Sequence, residues 1–557
     1  MNSLVLLIGG AVLFIIAFFT YGSWLAKKWG LTNKNITPAH RLEDDKDYVP
    51  ADKAVIFGHH FSSIAGAGPI TGPIMAAGFG WLPAYLWIVL GSIFMGGVHD
   101  FGSLVASLRN DGKSIGEIIK KNISPKTKTI FDWYAWFTLA LVVAAFTDIC
   151  AKTFAYNPAN GSLIGAQAGT SSMLFIILAL LFGFVRNKFK SGLLVSSIVG
   201  VFFLCGAIAL GYFFPVIKLG VVSWRIVIVA YIILASVLPV WLLLQPRDYL
   251  CSFLLYAMLA GAVIGIFIRH PAVSLPATTT FVVNGQTLFP YLFITIACGA
   301  ISGFHSLVSS GTTSKQLNRE NPDAKLIGYG SMLLEGFMAI IALVAVGYFV
   351  KDNTLAGHTP VQIFASGVAW FMSSFGVNEQ LGKVFITLAF SAFALTSLDT
   401  ATRIGRYTMQ ELADPTNTAD LNKKSAWTSI RKFFANRYVA TLVTVGLGVV
   451  MLVAGYTKVW PIFGSANQLL AVLALLAITS WNIKEGKHSW ETIIPLVFMF
   501  AVTFTAIILI IKKNLSGAEG AYIPLALIGV VLIVLAIALL IEAFVTLRKD
   551  KQAKKTA

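Results

Sequence analysis

Charge is scarce in this sequence. Only 12% of its 557 residues are Asp, Glu, Lys or Arg, against 57% hydrophobic, which excludes a soluble globular domain and marks an integral membrane protein. Cysteine is nearly absent too. Cys150, Cys205, Cys251 and Cys298 stand alone in or beside apolar stretches without C-x-x-C spacing, so neither a disulfide framework nor zinc is indicated. No Walker A sequence, Rossmann glycine fingerprint or HExxH pair occurs, which argues against ATP-driven pumping by this chain alone and leaves no cofactor motif. Acidic residues number 25 against 42 basic ones, a formal charge of +17. In a membrane protein such an excess biases topology and meets anionic lipid headgroups, so nucleic acid is not implied.

What the sequence has is long apolar runs. They centre on 3–26, 54–80, 81–107, 129–150, 168–185, 191–214, 224–244, 249–269, 289–312, 326–350, 380–404, 437–456, 459–481, 490–511 and 522–547, about fifteen spans of one bilayer thickness. The first is too long for a signal peptide and lacks a basic n-region, so it reads as a retained helix. Alternating from a cytoplasmic 27–53 loop puts most Lys and Arg on the inner side, with the N-terminus outside and the C-terminus cytoplasmic.

Phe57 to Gly80 reads FGHHFSSIAGAGPITGPIMAAGFG. Pro69 and Pro73 each remove a backbone donor from a helix already carrying Gly66, Gly68 and Gly72, and freed backbone groups are tolerated at membrane depth only where protein or a wet cavity satisfies them. Two readings follow: a kinked helix packed closely through its glycines, or a broken helix whose ends offer dipoles and carbonyls to a solute or cation. The second gains weight from another interruption, expected in 224–244, where Ala235 to Leu250 reads ASVLPVWLLLQPRDYL. Pro239 and Pro246 interrupt it, with Trp241 and Gln245 as stacking and hydrogen-bonding groups. Substrate contacts are therefore expected from Gly66, Ala67, Gly68, Pro69, Pro239, Trp241 and Gln245.

Five helices over 54–214 and five oppositely oriented over 215–404 give, by analogy, a LeuT-like 5+5 inverted repeat. Residues 1–53 form an accessory first helix and cytoplasmic loop, 405–436 a basic linker on the inner leaflet, and 437–557 about four accessory helices with a basic tail. In that architecture a cation site would join the carbonyls of Ala65 and Gly66 to the hydroxyls of Ser309, Ser310, Thr312 and Thr313, oxygen ligands that suit sodium.

The stretch from Thr37 to Pro83, TPAHRLEDDKDYVPADKAVIFGHHFSSIAGAGPITGPIMAAGFGWLP, and RNDGKSIGE from Arg109 to Glu117 resemble the carbon starvation protein A (CstA) family of bacterial peptide and pyruvate transporters. VHDF at Val98 to Phe101 departs from the VQDF of that pattern. The resemblance implies uptake of small nutrients, peptides or pyruvate, across the bacterial plasma membrane, driven by a proton or sodium gradient. The broken helices carry no acidic residue to meet a peptide ammonium, with Asp148 and Glu335 the nearest candidates. This favours a monocarboxylate, while the family favours a peptide.

His59 and His60 lie near the cytoplasmic end of their helix, and histidine is the side chain whose unperturbed charge change falls near neutral pH. They are expected either to relay or gate protons or simply to anchor the helix. His305, one turn before Ser309, is either part of that relay or a satisfied core histidine. Asp100, Asp399 and Arg403 collect at the inner end, with Asp399 and Arg403 spaced as an i, i+4 ion pair, so an ordinary intrahelical pair competes with an inner gate. Thr359 to Gly376 is too short to span and is expected to be interfacial or re-entrant. Two other functions compete. A metal-dependent membrane enzyme would need the histidines as ligands, yet His59 and His60 point about 100° apart on a helix. A nutrient sensor on a transporter fold lacks a recognisable output domain.

Overall fold

The computed structural model describes the chain apart from residues 1, 45–47, 157, 159–160, 190–192, 239–241, 284, 351–356, 414–425, 454, 517–521 and 557. Asn2 accepts a hydrogen bond from the Leu4 amide and opens α1 (Ser3–Phe19), which runs on into α2 (Tyr21–Lys28). The loop that follows holds α3 (Pro38–Arg41), then pairs its backbone with a distant segment, the Val49 and Ala51 amides donating to the Lys315 and Gln316 carbonyls. Asp52 caps α4 (Lys53–Ile64). The helix stops there and resumes as α5 (Gly68–Ala76).

Gly80, at φ +97°, makes the return turn against the backbone of Ala277 and Thr278, a conformation and closeness that exclude a side chain. It leads into α6 (Trp81–Gly91), one wide π turn over Ser92–Gly96, and α7 (Gly97–Arg109). Ser114 caps the short α8 (Ile115–Asn122), and Ser124 followed by Pro125 opens α9 (Pro125–Phe154). Then come α10 (Ile164–Phe189), α11 (Leu193–Phe213), α12 (Val221–Val237) and α13 (Leu244–Arg269). A two-residue hairpin, β1 (Val282–Val283) with β2 (Gln286–Thr287), precedes α14 (Leu288–Thr295) and α15 (Gly303–Gly311).

A second wide π turn, Lys325–Gly330, feeds α16 (Ser331–Phe349). Thr359 and Gln362 form a capping box on α17 (Pro360–Met372), which precedes α18 (Glu379–Ala413). α19 (Ala426–Ala435) meets α20 (Arg437–Leu452) at a bend of 76°. α21 (Tyr456–Lys484), α22 (Trp490–Leu515) and α23 (Ile523–Thr556) complete the chain.

Eleven described helices are long and apolar enough to cross a membrane. The fifteen apolar runs of the sequence exceed this because two of them, 54–80 and 289–312, are broken helices and two, 224–244 and 437–456, form the shorter α12 and α20. α9 and α18 lie along one another at the centre and, with α16 and α21, are buried over most of their length, whereas α1, α11, α22 and α23 turn apolar sides outward as lipid-facing helices do.

A break that the sequence did not announce lies at 296–302, and the interruption expected in 224–244 falls between α12 and α13, where 239–241 lie outside the described residues. α12 ends at Val237 with Leu238 extended, and Pro246 sits in the first turn of α13, where its missing N–H goes unneeded. α17, expected to be interfacial or re-entrant, is enclosed by α5, α13, α16 and α18, with most of its apolar side chains buried.

Candidate functional site

At the first break Ala65 leaves helical geometry (φ −75°, ψ 55°). Pro69 belongs to the opening turn of α5, while Pro73 sits inside it, so the first proline starts a helix and does not interrupt one. Ser397 of α18 donates to the Ser63 carbonyl at 3.0 Å, replacing a partner lost at the break. Gly66 lies against Ser397 and Phe146 with no space for a side chain.

At the second break the Asn467 side chain from α21 accepts from the Phe304 amide at 2.8 Å and donates to the Ser302 hydroxyl at 2.9 Å, so it caps α15 and holds the unwound strand. α5 packs directly on this strand: Gly68 meets Cys298, and a Cβ on Gly72 would lie 2.6 Å from the Thr295 carbonyl oxygen. Between the breaks is a cavity of about 10 Å³, lined among others by Gly66, Phe146, Ser302, Ser397, Phe463 and Asn467, room for about one water.

The paired histidines reach two neighbours at once. His59 Nδ1 is 2.9 Å from Asp248 Oδ2 on α13, and His60 Nδ1 is 2.8 Å from the Thr313 hydroxyl beyond α15. Past His60 lies a set of fully buried ionisable groups. Asp100 lies 2.7 Å from His99 Nδ1 through one oxygen and 2.8 Å from His305 Nδ1 through the other, and His305 Nε2 stands 3.5 Å from Glu335 Oε2. Next to His59 is a second set, in which Asp399 takes Arg247 as a buried partner and accepts from the Tyr231 hydroxyl at 2.6 Å.

Asp399 and Arg403 therefore do not form the intrahelical pair that their spacing suggests. Arg403 donates instead to the Ala235 and Leu238 carbonyls at 2.6 and 2.9 Å. The carbonyls at a helix C-terminus have no helical partner, and a cation is the natural cap.

A cavity of about 720 Å³ opens beneath these groups, within the range of small-molecule sites. His59, Ser310, Thr312, Thr400 and Arg403 are in its wall, together with Lys113, Lys315, Glu117, Asp132 and Glu411. The three carboxylates gather round Lys128, at 2.6 Å from Asp132, 2.9 Å from Glu411 and 3.6 Å from Glu117.

Of the expected substrate residues, Gly66, Ala67, Gly68 and Pro69 sit at the break. Pro239 and Trp241 lie outside the described residues, as does the side chain of Gln245, in the first turn of α13. Of the expected cation ligands beside Ala65 and Gly66, Thr313 is taken by His60, Thr312 donates to its own helix at the Val308 carbonyl, and Ser310 donates to Ser306 and accepts from the Ile115 amide. The Ser309 hydroxyl is buried without a hydrogen-bond partner among the described residues. The expected gating residues divide between the two sets, His60, Asp100 and His305 in one and His59, Asp399 and Arg403 in or beside the other. Sequence reasoning passed over Arg247, Asp248, Ser397 and Asn467 and left Glu335 unplaced. A signal existed for three of them: Arg247, Asp248 and Glu335 are charged residues inside or at the edge of apolar runs, which are rare without a role.

Two broken helices packed against each other, with ionisable groups buried at the breaks and a vestibule leading toward them, define a multi-pass membrane transporter and not an enzyme. The family follows from comparison with known proteins. Residues 2–356 and 348–506 match the model of carbon starvation protein CstA, and the chain belongs to that family. It is 33% identical to the peptide transporter CstA of Escherichia coli (strain K12) over 95% of this chain and 82% of the relative. It is 30% identical to the pyruvate/proton symporter BtsT of the same organism, over 94% and 83% respectively. Among solved structures, an Eremococcus coleocola manganese transporter superposes with a TM-score of 0.45 at 12% identity, covering 94% of this chain and 99% of that one.

Proposed function

We propose that this protein is a proton-coupled symporter that takes up small carboxylate-bearing nutrients, pyruvate-like monocarboxylates or short peptides, across the bacterial plasma membrane. The observation that carries the reading is the fully buried set His60, His99, Asp100, His305 and Glu335 beside both helix breaks, since ionisable groups at membrane depth mark proton and ion pathways. A proton is favoured over sodium because the groups buried beside the breaks are themselves ionisable and one matching relative is named a pyruvate/proton symporter. The matching relatives support both substrate classes, being named a peptide transporter and a pyruvate/proton symporter, and the carboxylate is the chemistry the two share.

A five-plus-five inverted repeat fits the order of elements, with its second half opening at the α14/α15 break. The order break, π-turned helix, short helix, long helix occurs twice: α4/α5, α6–α7, α8, α9, and then α14/α15, α16, α17, α18. α13 packs on α4, α17 and α18, and α21 packs on the corresponding α14, α8 and α9. On this reading the repeats run over 53–269 and 288–484, with α10 and α11 inserted in the first, one helix before and two after, where the sequence alone suggested 54–214 and 215–404. With the N-terminus outside, the 720 Å³ vestibule faces the cytoplasm.

The test is uptake of labelled pyruvate and of a labelled dipeptide into proteoliposomes, with proton and sodium gradients imposed separately. Accumulation of either only under an inward proton gradient supports the reading; sodium dependence, or binding without flux under any gradient, refutes it.

A further inference from the structure

Asp100 and Glu335 are both completely buried, but their surroundings differ. Each oxygen of Asp100 has a histidine nitrogen within 2.8 Å, whereas both oxygens of Glu335 lack a hydrogen bond among the described residues, and His305 Nε2 stands 3.5 Å from its Oε2. No Lys or Arg pairs with either acid among the described residues. A carboxylate anion with neither a counter-charge nor a hydrogen bond is too costly to bury, and the one economical occupant of Glu335 is a proton.

We infer that Glu335 is the carrier of the coupling proton and that His305 is its relay to Asp100, an assignment resting on the proton-symport reading above. The geometry gives the step. A proton leaves Glu335 Oε2 for His305 Nε2 as the ring gives its Nδ1 proton to Asp100 Oδ2, so only O–H and N–H bonds change and the ring ends in its other tautomer. The surroundings isolate this path. From α7 Glu335 faces Asp100, from α15 His305, from the second break Cys298, and from α4 His60 stands behind His305. α1, α5 and α17, which also pack on α16, bring no titratable side chain. On α6 the Tyr85 hydroxyl is held by the Leu6 carbonyl; on the π turn that feeds α16, Tyr329 donates to the Ile93 carbonyl and Lys325 to the Ser23 hydroxyl; and on α13 Asp248 is taken by His59 and Arg247 by Asp399. His305 lies three residues past Ser302 at the second break and His60 four before Ile64 at the first, so a change of proton number here acts on both half-helices that substrate must part.

The experiment compares wild type, Glu335→Gln and Glu335→Asp in proteoliposomes by two readouts. One is accumulation of labelled pyruvate or dipeptide under an inward proton gradient; the other is exchange of the same substrate at equal pH, which moves no net proton. Glu335→Gln is expected to lose accumulation by at least about tenfold while exchange stays within about threefold and no longer varies with pH. Accumulation at the wild-type level in Glu335→Gln overturns the assignment. Should Glu335→Gln lose exchange as well, the Asp variant decides: restored accumulation with its dependence on the proton gradient supports the carrier role, and an inactive Asp variant makes Glu335 structural and overturns it. Failure of the wild type itself to accumulate either substrate under a proton gradient refutes the symport reading instead, a separate result.

Discussion

At the scale of single residues the strongest constraint is the pair of Arg247 and Asp399, both almost completely buried. Removing one partner of such a pair leaves the other charge stranded and costs about 3–5 kcal/mol, whereas replacing both by apolar side chains of similar volume is often neutral. Asp399→Asn is therefore expected to lower the melting temperature of the purified protein and to abolish uptake. The double variant Arg247→Met/Asp399→Leu should recover thermal stability, measured by the same melt, without recovering uptake. If it also transports, the pair has no gating role. A contrasting ion pair lies at the surface, where hydrogen bonding to Arg41 holds the Asp111 carboxyl below its usual range. Its folded pKa lies beneath the unfolded value, so the stabilisation is present above the unfolded pKa and fades only as pH falls through the folded one. Protease cleavage of the 42–52 loop should accordingly stay constant from about pH 8 to pH 5, and Asp111→Asn should raise it throughout that window.

At the scale of elements the two breaks depend on close approach. Gly72→Ala would set a Cβ 2.6 Å from the Thr295 carbonyl oxygen and 3.1 Å from Ile296 Cα, forcing α5 off the second break, and overpacking of this kind costs about 1–3 kcal/mol. Gly446→Ala in α20 meets nothing within 4 Å and should gain about 0.5–1 kcal/mol of helix stability. A thermal melt of the two variants should move in opposite directions, with uptake falling only in the first. Asn467→Ala should behave like Gly72→Ala, since it leaves the buried Phe304 amide without its partner, a loss of about 1–3 kcal/mol. The first break was legible in the sequence because glycines and prolines crowd it. The second was not: Ile296 to Ser302 reads IACGAIS, with no proline, and it is unwound by contacts from α5 and α21 that no local pattern encodes. Pro246 drew attention to a helix boundary because proline marks the first turn of a helix as readily as a kink. The histidines were visible as residues, but that one turns to Asp248 and the other to Thr313 follows from helices brought alongside by the fold.

At the scale of the whole molecule, the open vestibule and the closed centre belong to one state of an alternating cycle. In the orientation proposed above, about 720 Å³ leads up from the inner side to His59 and Arg403, whereas beneath α17, near Lys152 and Thr359, the free space is about 20 Å³. In that orientation a substrate entering from outside would part α17 and α5 from α9 while the inner walls, Thr312 on one side and Thr408 on the other, close together. Thr312→Cys and Thr408→Cys, each introduced alone into a cysteine-free background, should react with a membrane-impermeant maleimide applied to inside-out vesicles and resist it in right-side-out ones. A saturating transported substrate together with low pH should slow that reaction, because a ligand shifts the equilibrium toward the state it binds better. The charge balance of the cycle adds a second readout. One proton carried with one monocarboxylate moves no net charge, whereas one proton with a zwitterionic peptide moves one, and each charge crossing 100 mV is worth about 2.3 kcal/mol. Uptake of pyruvate is expected to follow the pH gradient and ignore an imposed potassium diffusion potential, and uptake of a neutral dipeptide to respond to both. Pyruvate uptake that accelerates with inside-negative potential would require a second cation, and the Ser309 hydroxyl, without a hydrogen-bond partner among the described residues, would then be the place to look for it.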